Sequence, residues 1–179
     1  MKAQGFTKQG YNDGVAPHTI KRGAQMIDNH FTTTGVVINS RNEILMIHHN
    51  KLQVWLPPGG HIEDNELPDE AVLREIYEET GIRAKIIDNK KKLSLKSEYC
   101  RQLETPFVVL LEDIEANGRH NHIDLIYLCQ ATHEELVPQE NEVDGIGWFT
   151  FEQIKELDTY DNVIKTITLA VEHMNLKKE

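Results

Sequence analysis

Apolar residues change rhythm along the chain. Up to about residue 30 they are scattered among polar residues and interrupted by Gly5, Gly10, Gly14, Pro17 and Gly23, a texture that predicts an arm with a short helix over residues 18–29. From Thr33 the runs TTGVVIN and EILMIHH are rich in β-branched residues, and the polar Ser40-Arg41-Asn42 between them predicts a hairpin. Val54-Trp55-Leu56 predicts a third short strand, which Pro57-Pro58-Gly59-Gly60 breaks. A helix follows: Pro68 suits its first turn, Asp69 and Glu70 its positive end, and Gly81 the position just past its last turn. RAKIID, FVVLLEDI and HIDLIYLCQ predict further strands, and Glu142 to Trp148 reads as a loop leading into GWFT. FEQIKEL and DNVIKTITLAVEHMNL have helical spacing, with Ile164, Ile167, Leu169 and Val171 among the apolar positions. Strands in the middle, one central helix and two terminal ones predict a mixed α/β domain. Residues 1–32 are expected to form the arm and 33–179 the domain, with no internal repeat and no low-complexity linker.

Composition narrows the class. The 179 residues suffice for one domain with a real core, and 39% apolar with 27% charged residues predicts a soluble globular protein. No apolar run approaches the roughly 18 residues of a membrane span, and MKAQGFTKQGYNDG lacks the apolar stretch of a secretory signal. Cys100 and Cys129 are too far apart for a CxxC motif and read as reduced thiols of a cytoplasmic protein. The net charge of −10 excludes a general nucleic-acid binder, which needs a basic stripe to displace counterions from phosphate. Lys90-Lys91-Lys92 reads as a solvated turn between strands. An acidic protein still binds an anionic small molecule when metal ions stand between them.

The helix carries the chemistry. Glu75, Glu78 and Glu79 are spaced i, i+3, i+4 and share one face, while Leu73 and Ile76 point toward a core. An acidic solvated face is the bland account of such a trio. Like charges at this spacing each cost a few tenths of a kcal/mol, and acids in a last turn oppose the dipole by roughly 0.3–1 kcal/mol apiece. Arg74 and Arg83 relieve one carboxylate each, not all three. A divalent cation relieves them all, and hard carboxylate oxygens suit Mg²⁺ or Mn²⁺. The turn at Pro57–Gly60 brings peptide carbonyls toward the same place.

Gly60, Glu66, Arg74, Glu75, Ile76, Glu78, Glu79, Gly81 and Ile82 stand at the spacing of the Nudix box, and the chain resembles the Nudix hydrolases over roughly residues 33–157. WLPPGGHIE before the box and EVDGIGWF after it resemble the flanking segments of that family. The resemblance implies an α/β/α sandwich, a mixed β-sheet between α-helices. It implies divalent metal at Glu78 and Glu79, with help from Glu75 and the carbonyl of Gly60. It also implies an Arg74–Glu66 ion pair that orients the helix carboxylates. Glu142, with Glu140 as a neighbouring competitor, matches the family's late carboxylate, which serves as a further ligand or as general base.

Such a site supports attack of water on phosphorus within a diphosphate, with Mg²⁺ (or Mn²⁺) neutralising charge and Glu75 or Glu142 removing the proton of the water. The expected substrate is a nucleoside diphosphate linked to a further group, a nucleoside triphosphate or related nucleotide first among them. The alternatives are a dinucleoside polyphosphate hydrolase, for which Tyr99 is the only hint, and a catalytically idle domain that senses a nucleotide. RNA cap or 5′-end hydrolysis fits the acidic charge poorly. Trp55 and Tyr99 are candidates to stack on a base, and His48, His49 and Lys51 to meet phosphates. His120, His122 and Asp124 suggest zinc, but the sequence singles out no third well-spaced ligand. A homodimer is left open.

Overall fold

The computed structural model describes residues 27–87, 93, 95, 99–114, 119–137 and 143–175. Among them eight strands form one mixed sheet: β1 (Asp28–Ile38), β2 (Ile44–His49), β3 (Val54–Leu56), β4 (Gly59–His61), β5 (Ala84–Ile86), β6 (Val108–Asp113), β7 (His120–Ala131) and β8 (Val143–Phe149). The path runs β3-β2-β1-β7-β5, with β4 beside β1, β6 beside β7 and β8 beside β2. β1 and β7 pair in parallel from Asp28↔His120 to Ile38↔Gln130, and the other pairs are antiparallel.

The central strands read as unbroken apolar runs because both their faces are covered. Alternate residues feed two cores. Val36, Ile38, Met46, Ile126 and Leu128 meet Ile154 of α2 (Phe151–Ile154) and Ile167 and Ala170 of α3 (Asp161–Asn175). Val37, Leu45, Tyr127 and Cys129 meet Val72 and Ile76 of α1 (Pro68–Thr80), together with Ile82. The helices therefore lie on opposite faces of the sheet, the sandwich that the family resemblance implies. Burial pushes the Cys129 thiol up to about 12, and both cysteines are free.

Local chemistry sets the ends of α1. Leu67 precedes it in extended backbone, Pro68 opens the first turn, and Gly81 closes the helix at φ 72°, its N–H donating to Tyr77 O at 2.8 Å. A left-handed residue at that point is strained for anything but glycine, and a Cβ there would also sit 2.7 Å from Val137 Cβ. No basic residue lies in the last turn of α1, so nothing there offsets the dipole. The hairpin turn is held by the side-chain oxygen of Asn39, which accepts from the N–H groups of Arg41 and Glu43, both at 2.9 Å.

Several expectations are corrected. Asp28 and Asn29 belong to β1 rather than to a helix; the open edge of β7 satisfies their backbone groups, and Asp28 N–H also donates to Arg119 O at 2.7 Å. Ile27 before them is exposed and not helical, and residues 18–26 of that expected helix lie outside the described residues, as does Lys90-Lys91-Lys92. Gly59 and Gly60 do not merely break β3: they form β4 against Thr33 and Thr34 of β1. The expected loop ahead of GWFT is strand from Val143 onward, because ladder bonds to β2 outweigh the poor strand propensity of Gly145 and Gly147. On α3, Leu169 is 50% exposed and Ala170 takes the inward position instead.

Ile76 is fully buried between α1 and the sheet. Ile76→Ala is expected to destabilise the fold by about 3 kcal/mol. Urea unfolding followed by circular dichroism checks this; a loss below 1 kcal/mol would mean that α1 is not held by this contact.

Candidate active site

The C-terminal half of α1 stands over β4, and this juxtaposition organises the acids. Glu79, only 6% exposed, accepts the Gly59 backbone N–H on Oε2 at 2.9 Å. Next along the strand, Gly60 lies so close to the helix that a Cβ would fall 2.5 Å from Glu75 Oε1. The missing side chain is what lets backbone and carboxylate share this space.

Arg74 ties the acids together. Its Nε and Nη2 donate to Glu66 Oε1 and Oε2 at 2.8 and 2.9 Å, a fork-to-fork pair. Nη1 reaches Glu75 Oε1 and Glu78 Oε2, both at 2.8 Å, and Nη2 also reaches the carbonyl of His61 at 3.0 Å. Hydrogen bonds from Arg74 hold Glu66 below the usual carboxylate range against the opposing effect of burial. Glu66 in turn is the main cause that raises the guanidinium pKa further, with Glu78 and Glu75 adding to it. The expectation that one arginine relieves one acid is thus too low: the planar guanidinium serves Glu75 and Glu78 at once. Arg83 serves neither and lies over the Tyr77 ring, 5.1 Å from its centroid.

Two cavities open beside these groups. One, of about 430 Å³, is lined by Glu63, Glu75 and Glu79 together with Gly59, Gly60, His61, His49 and Lys51. The other, of about 880 Å³, shares His49, Lys51, Gly59, Gly60 and His61 and extends between β6, β7 and α3. Its far wall includes Leu110, Glu112, Asp124, Ile126, Tyr160 and Ile167. Sequence reasoning did not find Thr34, Glu112 or Tyr160; the parallel register that sets Thr32 opposite Asp124 is not visible in a one-dimensional pattern. Asp124 accepts from the hydroxyls of Thr34 (2.8 Å) and Thr32 (3.1 Å), and burial pushes its carboxyl up while those bonds pull it back. Burial, reinforced by Asp124, likewise raises Glu112.

The remaining candidates divide. His49 and Lys51 line both cavities, whereas His48 packs edge-on to Trp55 at 5.3 Å. Trp55 packs against Phe149 at 4.9 Å, and Tyr99 is 98% exposed; neither lines either of these two cavities. His61 and His122 line the larger cavity. Burial first, then the neighbouring His61, His120 and His30, brings His122 down to about 4. Glu140 and Glu142 lie outside the described residues.

The chain is similar to known proteins. A family model described as NUDIX domain matches residues 28–169, more than half of the chain. Over 126 residues the chain is 34% identical to the m7GpppN-mRNA hydrolase NUDT17 of Xenopus laevis, a match covering 68% of this chain but 39% of that protein. It is 26% identical over 137 residues to a probable DHNTP pyrophosphohydrolase of Lactococcus lactis subsp. cremoris, covering 73% of each. The crystal structure of a NUDIX-family hydrolase from Clostridium perfringens superimposes with a TM-score of 0.72 at 30% identity, covering 83% of this chain and 99% of that one. No helix among the described residues is long and apolar enough to cross a membrane.

Arg74→Lys keeps the charge but loses the fork that serves three carboxylates. It is expected to lower stability by about 2 kcal/mol, read from the urea midpoint. An unchanged midpoint would show that the network holds no part of the fold together.

Proposed function

The chain belongs to the NUDIX domain family, and on that premise we propose that it is a divalent-metal-dependent hydrolase of a phosphoanhydride bond. Its proposed substrate is a nucleoside diphosphate linked to a further group, nucleoside triphosphates and related nucleotides first among them. The observation that carries the reading is the meeting of Glu75 and Glu79 with Gly59 and Gly60 in the smaller cavity, beside a larger one that the two glycines also line.

The donor set fits a hard cation. Carboxylate oxygens of Glu75, Glu78 and Glu79 and the carbonyl of Gly60 would hold Mg²⁺ or Mn²⁺, with Glu142 as a further proposed ligand. When bound, such an ion neutralises phosphate charge and acidifies a water. The chain's own residues supply the rest. The Gly59 N–H fixes one oxygen of Glu79, and Arg74 orients Glu75 and Glu78 while Glu66 steadies Arg74 from behind. Either Glu75 or Glu142 takes the proton of the attacking water. Lys51 and His49, on the wall between the cavities, offer positive charge and hydrogen bonds to the phosphates. A nucleoside occupies the larger cavity, whose volume of about 880 Å³ falls in the range of small-molecule sites. A cytoplasmic setting accords with two free cysteines. One relative is named an m7GpppN-mRNA hydrolase and the other a probable DHNTP pyrophosphohydrolase, and the second name supports hydrolysis of a pyrophosphate bond.

Glu79→Gln keeps an acceptor for Gly59 N–H but removes a charge from the set. It is expected to lower turnover roughly 100-fold or more with little change in the unfolding midpoint. A nucleotide panel with Mg²⁺ and product detection reads the activity, and ¹⁸O-labelled water shows which phosphorus is attacked. Near-normal turnover in the variant would reject the metal assignment. Binding without product from any panel member would leave a nucleotide sensor.

A further inference from the structure

Four histidines from three strands meet where β1, β4 and β7 run side by side. His30 stands opposite His122 in the parallel ladder, and His61 of β4 pairs with Thr32, two residues along β1 from His30. Nδ1 of His30 lies 3.2 Å from Nε2 of His61 and 3.3 Å from Nε2 of His120. One ring nitrogen each of His30, His61 and His122 fall within 4.8 Å of one another.

The separation of the His30 and His61 nitrogens is one that a shared metal ion would set. With metal–nitrogen bonds of about 2.0–2.1 Å, two ligands of a tetrahedral zinc ion are separated by about 3.3 Å. The partner of the outer nitrogen of His30 is also telling: Nε2 lies 3.1 Å from Asp28 Oδ2. A carboxylate there holds the proton on Nε2 and turns the Nδ1 lone pair toward the other rings, the outer support that histidine ligands of metals usually have. That one lone pair serves one hydrogen bond well, yet two neighbouring nitrogens approach it. Nε2 of His122 is buried with no hydrogen-bond partner among the described residues, which costs stability unless something binds it.

We propose that His30, His61 and His122 form a second metal site, for a transition-metal ion such as Zn²⁺, separate from the carboxylates of α1. Imidazole nitrogens suit zinc, whereas Mg²⁺ demands oxygen, so the two sites select different ions. Three protein ligands leave a fourth position for water or for His120 after its ring turns. The side chain of His30 is 37% exposed and His61 lies at the surface, so an ion has a way in. The ion clamps the start of β1 to β4 and β7. Because the carbonyl of His61 accepts from Arg74, the clamp also steadies the strand against which the acids are set. The idea of zinc at His120 and His122 lacked its partners in the sequence; β1 and β4 supply them.

The test uses the full chain stripped with EDTA, dialysed, and titrated with Zn²⁺ by calorimetry in excess Mg²⁺. One equivalent of Zn²⁺ is expected to bind and to raise the thermal midpoint. His30→Gln and His122→Gln should abolish that uptake, Asp28→Asn should weaken it about 10-fold, and Cys100→Ser should leave it unchanged. Circular dichroism confirms that each variant is folded. Should either histidine variant unfold, the visible spectrum of Co²⁺ bound to the unaltered chain decides: tetrahedral nitrogen ligation supports the site and octahedral oxygen ligation overturns it. No stoichiometric uptake, or uptake that survives both histidine variants and vanishes in Glu79→Gln, also overturns it.

Discussion

Repulsion among the acids of α1 is the constraint around which the chain is arranged. Glu75, Glu78 and Glu79 crowd the negative end of a helix dipole, a placement that costs stability from both sources. The fold answers with one guanidinium. Arg74 lies one residue before Glu75 and four before Glu78, so both acids fall within reach of its Nη1, while Glu66 closes on its other edge. Glu79 is answered differently, by the backbone N–H of Gly59. Charge-assisted hydrogen bonds of this kind contribute about 1.5–3 kcal/mol each when well made. They restrain the acids without removing their charge, which is the state a cation-binding site requires.

That arrangement depends on where the sheet sets the helix. Val72 and Ile76 are fully buried against Val37, Leu45 and Tyr127, and this fixes both the rotation and the height of α1 over β4. The opposite face of the same strands is closed by Ile167 and Ala170 of α3, and the larger cavity forms where α3, β6 and β7 leave space. One sheet thus supplies packing for the helix on one side and a binding wall on the other. Strands β1 and β4 join the two, since Thr34 lines the cavity while Gly59 and Gly60 face the acids.

Polar groups cluster where β1 and β7 run in parallel. The register brings Thr32 to Asp124 and His30 to His122, so each pair of facing strands places chemistry side by side at intervals of two residues. Asp124 is satisfied by two threonine hydroxyls; Nε2 of His122 has no hydrogen-bond partner among the described residues. Neighbouring positions on one strand thereby have opposite fates, one a structural hydrogen-bond acceptor and the other a ligand in waiting.

By itself the sequence determined the local elements and the acidic face. Proline and glycine mark both ends of α1, β-branched runs mark β1, β2 and β7, and the spacing of the glutamates places them on one side of a helix, because each of these signals acts between residues close in the chain. Tertiary structure alone decided the rest. Glycines 59, 60, 145 and 147 look like breakers until the edges of β1 and β2 offer them hydrogen bonds. Trp55 packs edge-on to Phe149, a contact between residues far apart in the chain. The joining of His30, His61 and His122, and the cavity wall formed by Asp124 and Tyr160, follow from pairings between residues far apart in the chain, which no local periodicity encodes.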